Sequence, residues 1–506
     1  MVGVTPPPSL ALLSDEQIRR FIAQGFLVLK SRVPRDVNQS IRRSLDESMD
    51  RLGDLGNNVY PQVPLLQEVF RDPVVRGALT SVLGPGYLMH AHRYAHRTAP
   101  GAEQRQWHKD TYWGYARKVR NQRPWWAMVM YYPQDVRLEH GPTAVMPGRQ
   151  HYLQQPPDDP PHVARATGEA GTFLLVHYDQ WHQASANTSD ITRFMLKFQF
   201  LRTAAPTAPP WDGSGGDWRD PAGDPPPCPH RTTWRHVWNW SSGRSPDQWH
   251  APSEPGRIGD LVDRLTHGDE RTRADAADQL GMRGQRAGDA VAALAAAVHD
   301  EKEPVIMNAC QALAAIGAPA VEPLAKALHS PSDLTRRHAA SALGTLGPAA
   351  IGSLLDAVRS QAEVPRALAA AALGEAGVAD HAVVDALGNG LRDANAWVRL
   401  CAADALGMLG APAAPATGAL TVAMCRDQDT EVRFTAARAL ARFGPAGAEA
   451  TDALVACLED PNRYVRAYAI EALHRIGSPR AIDALLEHLK ASRWCPVTAL
   501  VHPFKP

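Results

Sequence analysis

Hydrophobic residues recur at helical intervals in the first part of the chain. Ser14 and Gln17 form a capping box, which predicts that a helix begins here, and Gly25 is placed to end it. The apolar run Phe26–Lys30 predicts a strand. A second helix is predicted over Asp36–Leu52, so the chain opens with helices around one strand.

Between residues 86 and 202 the pattern changes to short apolar runs separated by Gly, Pro and Asn. Runs of this length with such breaks are typical of the strands of a sandwich or barrel. Four runs are predicted as strands: Tyr87–Tyr94, Trp125–Tyr132, Gly171–His177 and Ile191–Leu201.

From about residue 257 the chain becomes rich in Ala and Leu, and a leucine returns every 30 to 34 residues. The repeated leucines are Leu280, Leu313, Leu343, Leu373, Leu406, Leu440 and Leu473. A glycine follows each leucine by four residues, and an arginine precedes each by seven, except that Ile306 replaces it in the second repeat. This period predicts a solenoid of helix pairs, with each glycine as a left-handed C-cap.

The repeat arginines are interpreted as structural, and we predict that they form an internal ladder with acids such as Asp393 and Asp427. Arg399–Gly407 resembles HEAT repeats of the short bacterial, PBS-lyase-like kind. Solenoids usually present a concave surface to a partner, so a protein partner or self-association through the repeats is one expectation. Pro479–Leu489 is predicted to add a last helix, and residues 491–506 are an unassigned tail.

Residues 203–256 are rich in Pro, Gly, Asp and Ser, as a flexible linker would be. They nevertheless hold six of the thirteen tryptophans of the chain: Trp211, Trp218, Trp234, Trp238, Trp240 and Trp249. A solvated linker does not carry so much apolar ring surface. We therefore predict an irregular but ordered connector that packs onto one or both neighbouring domains.

Composition narrows the function classes. The chain has 53 basic and 53 acidic residues, so no net field favours nucleic acid or a membrane surface. No apolar run has the length of a membrane span, and the start lacks the pattern of a secretory signal. The six cysteines form no CxxC pair, and four lie in helical patterns. These features favour a reducing, cytoplasmic setting without nucleic-acid or membrane partners.

The candidate chemistry starts from His108 and Asp110, which would point the same way if their segment were a strand. With a distant histidine they would complete two imidazoles and one carboxylate, a set that suits non-haem Fe(II) oxygenases. Three histidines are candidates for the distal position. His151 follows a Pro-Gly turn, His177 ends a predicted strand, and His182 follows Trp181.

Three further features carry a family resemblance. They are the block Glu139–His151, the segment Ala186–Ser189 after His182, and Arg193, which lies eleven residues beyond His182. Together with the metal motif they resemble the phytanoyl-CoA dioxygenase family of Fe(II)/2-oxoglutarate oxygenases over roughly residues 12–202. The resemblance implies a double-stranded β-helix, or jelly roll, with flanking helices, joined here to an all-α HEAT-like solenoid.

The resemblance also implies site roles. His108, Asp110 and His182 would bind Fe(II), and His182 is preferred because it alone has Arg193 at the family's spacing. Arg193 would bind the distal carboxylate of the cosubstrate 2-oxoglutarate, with O2 as the other cosubstrate, because its guanidinium forms a fork that fits a carboxylate. Trp126 lies where the family can place an aromatic beside 2-oxoglutarate, although plain core packing explains it equally well.

The substrate side is less specified. Tyr112, Trp113 and Arg117 follow the motif, and they are predicted with His177 as pocket residues. Residues 93–123 hold eight basic and two acidic side chains, which hints at an anionic substrate, although a solvated basic face explains them as well. Asp110 favours hydroxylation, desaturation or cyclisation, because related halogenases lack that carboxylate.

We expect five segments: a loose N-terminus (1–12), the oxygenase domain (13–202), the connector (203–256), the HEAT-like repeats (257–490) and a tail (491–506). The predicted function is Fe(II)/2-oxoglutarate-dependent hydroxylation, or another oxidation, of a small metabolite or natural-product intermediate. The alternative is a protein or peptide hydroxylase, or a scaffold, that recruits a partner through the solenoid.

Overall fold

The computed structural model describes residues 9–110, 122–155, 160, 162–223, 226, 228–244 and 257–491. The chain forms two compact units, Met1–Ala357 and Val358–Pro506. The first unit contains the β-rich region, the connector and the first solenoid helices. The finer division into five segments stays a prediction. None of the helices in the described ranges has both the length and the apolar character that crossing a membrane requires.

The N-terminal helices surround one strand, as predicted. Their bounds are α1 (Asp15–Gln24), α2 (Arg35–Leu52), α3 (Val59–Gln62), α4 (Leu66–Arg71) and α5 (Pro73–Leu83), and β1 (Phe26–Lys30) follows α1. The Ser14 hydroxyl accepts a hydrogen bond from the Gln17 N–H, and the Gln17 side chain accepts one from the Ser14 N–H. Gly25 is left-handed with φ 82°. The predicted capping box and glycine stop are therefore confirmed.

Together with β1, seven further strands form two antiparallel sheets. They are β2 (Leu88–Thr98), β3 (Trp126–Tyr131), β4 (Thr143–Val145), β5 (Ala164–Arg165), β6 (Thr172–His177), β7 (His182–Ala184) and β8 (Arg193–Leu201). The larger sheet has the order β1-β6-β3-β8-β2, and the smaller has the order β5-β4-β7. All four predicted strands are present, and the predicted jelly roll with flanking helices is confirmed.

The larger sheet packs one face on the N-terminal helices, and both faces of its strands β3 and β8 are buried. Phe194 and Phe198 of β8 pack into the main hydrophobic core with residues of α1 and α2. Because side chains alternate along a strand, Arg193 and Lys197 point to the opposite face. In the register of β3 and β8, Lys197 lies opposite Met130, so these two side chains share a face.

The described residues of the connector, 203–223, 226 and 228–244, pack against the neighbouring core, and part of this segment is helical. Residues Arg231–Ser241 form helix α6. The sequence analysis predicted an irregular segment here and did not anticipate a helix. Trp211, Trp234 and Trp238 are buried in the same core as α1 and the larger sheet. The predicted packing of the tryptophans is therefore observed for these three, whereas Trp249 lies outside the described residues.

The solenoid helices follow the leucine period. In the first unit they are α7 (Ile258–His267), α8 (Glu270–Met282), α9 (Val291–Ala297), α10 (Glu303–Ile316), α11 (Val321–Ala327), α12 (Asp333–Leu346) and α13 (Ile351–Ala357). In the second unit they are α14 (Glu363–Ala376), α15 (His381–Gly390), α16 (Ala396–Leu409), α17 (Thr417–Arg426), α18 (Thr430–Phe443), α19 (Thr451–Ala456), α20 (Arg463–Ile476) and α21 (Pro479–Ala491).

The predicted arginine ladder is present. Arg366 contacts both Asp393 oxygens at 2.8 and 2.9 Å, and Arg399 contacts both Asp427 oxygens at 2.7 and 2.8 Å. The glycine prediction holds only in part. All seven repeat glycines have positive φ. Six of them cap a solenoid helix, but only Gly377 and Gly477 do so in the left-handed conformation; Gly317, for example, combines φ 97° with ψ −142°.

Candidate metal centre

Three side chains from two distant segments converge beside the smaller sheet. One nitrogen of His108, one oxygen of Asp110 and one nitrogen of His182 lie within 4.8 Å of one another. Backbone pairing brings them together, because the N–H of each histidine donates to the carbonyl of the other, at 3.1 and 3.0 Å. The predicted strand around His108 is reduced to this single bridge, yet the bridge is enough to align both segments.

Backbone contacts orient both imidazoles. Nδ1 of His108 lies 3.0 Å from the Gln106 carbonyl oxygen, and Nδ1 of His182 lies 2.9 Å from that of Gln180. A carbonyl oxygen can only accept, so each Nδ1 carries the proton and each Nε2 is left as the electron-pair donor. Burial lowers the pKa of His182 to about 4, which keeps that ring neutral, the form in which histidine binds metals.

Asp110 is held as a carboxylate by a lysine that the sequence analysis did not single out. Lys197 Nζ lies 2.8 and 3.0 Å from the two Asp110 oxygens, and both side chains are buried. Burial alone would raise the pKa of Asp110, but the charge and hydrogen bonds of Lys197 lower it well below its usual value. Lys197 lies four residues after Arg193 on one strand, and that spacing was the available signal.

Arg193 is fully buried on the same face of the larger sheet. Its Nε and Nη2 donate to the Gly141 carbonyl at 3.1 and 2.6 Å, and its Nη1 has no hydrogen-bond partner in the described structure. Gly141 has φ +69°, and a Cβ there would lie 2.7 Å from the Ser185 carbonyl oxygen. Only glycine therefore lets this carbonyl reach the guanidinium. An unpaired buried N–H is the group that a carboxylate ligand would satisfy.

Two further side chains share this face. Trp126 is buried and packs against His90 and Tyr178, with ring centroids 5.4 and 5.6 Å away. Strand register puts it on the same side as Lys197. His96 of β2 was not anticipated. His96 pairs with Met195 of β8, so strand alternation places it on the face of Lys197. Burial and the nearby Lys197 charge lower the pKa of His96 well below its usual value, which keeps the ring neutral.

Two other candidate histidines are not brought to the cluster. His177 lies on the same face of β6 as Phe173 and Leu175 of the main core, and its ring lies 6.5 Å from that of Phe21 in α1. His177 therefore lies on the face of the sheet opposite to Arg193 and Lys197, where it is neither a pocket residue nor a distal ligand. His151 neighbours His177, with ring centroids 5.7 Å apart, and is not in the metal cluster. The predicted pocket residues Tyr112, Trp113 and Arg117 lie outside the described residues.

Similarity to solved structures is broad but low in sequence identity. A non-haem α-ketoglutarate-dependent carbocyclase of nogalamycin biosynthesis, SnoK, is 17% identical, with 41% of this chain and 91% of that chain covered and a TM-score of 0.33. EctD from S. alaskensis, solved with 2-oxoglutarate and 5-hydroxyectoine, is 15% identical, with 46% and 84% covered and a TM-score of 0.34. HygX from Streptomyces hygroscopicus is 14% identical, with 42% and 95% covered and a TM-score of 0.31.

No curated protein matches the chain. The assignment rests on family models instead. The model described as phytanoyl-CoA dioxygenase (PhyH) matches residues 12–195, and the model described as HEAT repeats matches residues 258–344 and 418–500. The chain therefore carries a phytanoyl-CoA dioxygenase (PhyH) domain over residues 12–195 and HEAT repeats in its C-terminal part.

Proposed function

We propose that the protein is an Fe(II)/2-oxoglutarate-dependent dioxygenase in which His108, Asp110 and His182 hold the iron. The observation that carries this proposal is the convergence of their three ligand atoms within 4.8 Å. The donor set fits, because two neutral imidazoles and one carboxylate leave the other positions of the ion open for cosubstrates. The Nδ1 contacts to backbone carbonyls supply the outer support that metal-binding histidines usually have.

Arg193 is proposed to bind the distal carboxylate of 2-oxoglutarate. Its unpartnered Nη1 and its complete burial support this role, since an ion pair is strongest where water is excluded. Gly141 holds the other edge of the guanidinium and so fixes the direction in which Nη1 points. Trp126 remains a candidate wall of the same site.

Once bound, iron and 2-oxoglutarate supply an oxidation by O2 that releases succinate and CO2 and removes a hydrogen atom from the substrate. The chain's own residues place the reactants and exclude water. Lys197 keeps Asp110 ionised and fixes its position through two hydrogen bonds. Because Asp110 is present, hydroxylation, desaturation or cyclisation is favoured over halogenation.

The proposed substrate is a small metabolite that carries negative charge, handled in a reducing, cytoplasmic setting. The described side chains beside the cluster support this charge preference. Arg105 is exposed three residues before His108, and its charge lowers the pKa of His96 after the larger effects of burial and of Lys197.

The test is anaerobic titration of the full chain with Fe(II), followed by succinate release from 2-oxoglutarate in air. His108→Ala and Asp110→Ala are expected to abolish iron binding and substrate-coupled succinate release. His162→Ala removes an exposed histidine of the same domain outside the cluster and should leave both unchanged. Full iron binding in both cluster variants would end the assignment. Comparing small anionic metabolites with extracted proteins as substrates separates the metabolite proposal from a protein hydroxylase.

A further inference from the structure

We propose that the second HEAT repeat positions the metal centre, with Glu303 of α10 as the residue that holds the loop over residues 150–154. This inference rests on the proposed function, because it assumes that His108, Asp110 and His182 bind the metal. It assigns to the solenoid a task inside its own chain, in addition to any surface that it offers to partners.

Glu303 is buried at the start of α10, and it serves the loop instead of its own helix. Its two carboxylate oxygens accept hydrogen bonds from consecutive backbone N–H groups, those of Leu153 at 2.5 Å and Gln154 at 2.9 Å. His338 of α12 lies 3.0 Å away and supports the same carboxylate from the third repeat. Hydrogen bonds to an ionised acceptor are about twice as strong as neutral ones, so this contact fixes the loop firmly.

The burial of Glu303 is a departure from the repeat and not a property of it. Glu270 and Glu363 occupy the same place, as the first residue of the helix and ten residues before the repeated leucine. Both are exposed, whereas Glu303 is 1% exposed. The second repeat also lacks the ladder arginine, since Ile306 stands there. This repeat is therefore adapted to a contact that the other repeats with this glutamate do not make.

The other end of the loop reaches both metal-binding segments. Lys109, between His108 and Asp110, is buried and donates from Nζ to the Gln150 carbonyl at 2.7 Å. Trp181, next to His182, donates from its indole nitrogen to the Tyr152 carbonyl at 3.2 Å. The Lys109 ammonium also lies 5.4 Å from the Trp181 ring centroid. One short loop therefore holds the residue beside each ligand.

A second path joins the loop to the same repeat. The Tyr152 hydroxyl lies 2.8 Å from His230 Nε2, and His230 Nδ1 lies 2.6 Å from the Asn308 side-chain oxygen. Burial lowers the pKa of His230 to about 4, so its ring is neutral. Nδ1–H therefore donates to Asn308, and Nε2 accepts from Tyr152. Asn308 in turn donates to the Ala274 carbonyl of α8 at 2.8 Å, which ties the chain of contacts to the first repeat.

These contacts predict an effect on metal affinity that is separate from an effect on stability. Residues that orient metal ligands change affinity by about 10–100-fold when they are replaced. Glu303 acts one step further out, so we expect a change of about tenfold at most. A looser loop would let Lys109 and Trp181 move. Because these residues neighbour His108 and His182, the relative orientation of the two imidazoles would change as well.

The experiment measures Mn(II) binding to the full chain by electron paramagnetic resonance, with and without 2-oxoglutarate, in Glu303→Gln and Glu303→Ala. Gln keeps one acceptor oxygen and Ala keeps none, so the dissociation constant should rise about threefold in the first and up to about tenfold in the second. The spectrum of the bound ion should broaden or shift as the ligand geometry changes. Amide hydrogen exchange at residues 150–154 should quicken in both variants.

Two matched controls separate positioning from simple docking. Glu363→Gln makes the same replacement at the exposed equivalent position and should change nothing. Gln311→Ala lies in α10 as well, but its side chain contacts His236 of α6 at 2.9 Å and not the loop. It should lower Tm while leaving Mn(II) affinity intact. Equal Mn(II) affinity in wild type and both Glu303 variants would overturn the inference. A wild-type chain that binds no Mn(II) would instead overturn the proposed function, and the Gln variant serves if the Ala variant fails to fold.

Discussion

Lys197→Met tests the electrostatic design of the metal centre, because it removes an ammonium and keeps a stem of similar length. In the metal-free protein the replacement leaves the Asp110 carboxylate buried without the cation that lies 2.8 and 3.0 Å from its oxygens. Removing one partner of a buried ion pair costs about 3–5 kcal/mol, since the remaining charge is uncompensated. We therefore expect the metal-free variant to lose about 3 kcal/mol of unfolding free energy.

The metal-bound variant should lose much less. A divalent ion takes the same carboxylate as its ligand and supplies the missing positive charge. If it recovers about 2 kcal/mol of the loss, the thermodynamic cycle requires the variant to bind metal about 30-fold more tightly than wild type. The buried lysine thus stabilises the empty site at the expense of metal affinity.

The assay is thermal unfolding by calorimetry with and without Mn(II), together with direct Mn(II) titration. Lys30→Met is the control, since it removes an exposed lysine whose ion pair with Glu169 at 3.5 Å is worth less than about 1 kcal/mol. The reasoning is refuted if Lys197→Met lowers Tm equally with and without Mn(II), or if its metal affinity falls.

Two further predictions concern other buried charges. Arg193→Lys should raise KM for 2-oxoglutarate about tenfold or more, because an ammonium cannot contact the Gly141 carbonyl and a carboxylate in the paired geometry of a guanidinium. Mn(II) affinity without 2-oxoglutarate should not change. An unaltered KM would contradict the role of Arg193. Asp278 is buried, which raises its pKa from 3.8 to about 6, so its contribution to stability is present below pH 4 and is lost as pH rises through 6. The unfolding free energy of Asp278→Asn, relative to that of wild type, should therefore rise by about 3 kcal/mol from pH 4 to pH 8. Denaturant unfolding of both proteins at the two pH values measures this difference, and a difference that does not depend on pH would disprove the prediction.

Much of the fold was predictable because its signals are local. The capping box at Ser14, the stop at Gly25 and the leucine period each depend on residues a few positions apart. The arginine ladder was predictable as well, since the repeat places each partner at a constant separation. Helix α6 was missed because its neighbours are rich in Pro and Gly, and its helical face is formed by burying Trp234 and Trp238 in a distant core.

The candidate site was predictable only as far as spacing reaches. His108 and Asp110 stand two residues apart, but their meeting with His182 depends on a backbone bridge between segments 74 residues apart in the sequence. Lys197 could be placed on the face of Arg193 by strand alternation, yet nothing in the sequence paired it with Asp110. The contact of Glu303 with Leu153 joins positions 150 residues apart and carries no motif at all.

The arginine ladder has a consequence for how this protein can change in length. Arg273, Arg366 and Arg399 each find their acid 27 or 28 residues further along, in the loop before the next equivalent helix. Each such unit contains both the arginine and its aspartate partner. A gene duplication or deletion of one whole unit would therefore leave every remaining pair matched. The unit with Ile306 and Glu303 is not interchangeable in this way, because its glutamate holds the loop over residues 150–154. We therefore expect changes in the number of repeats to spare this unit.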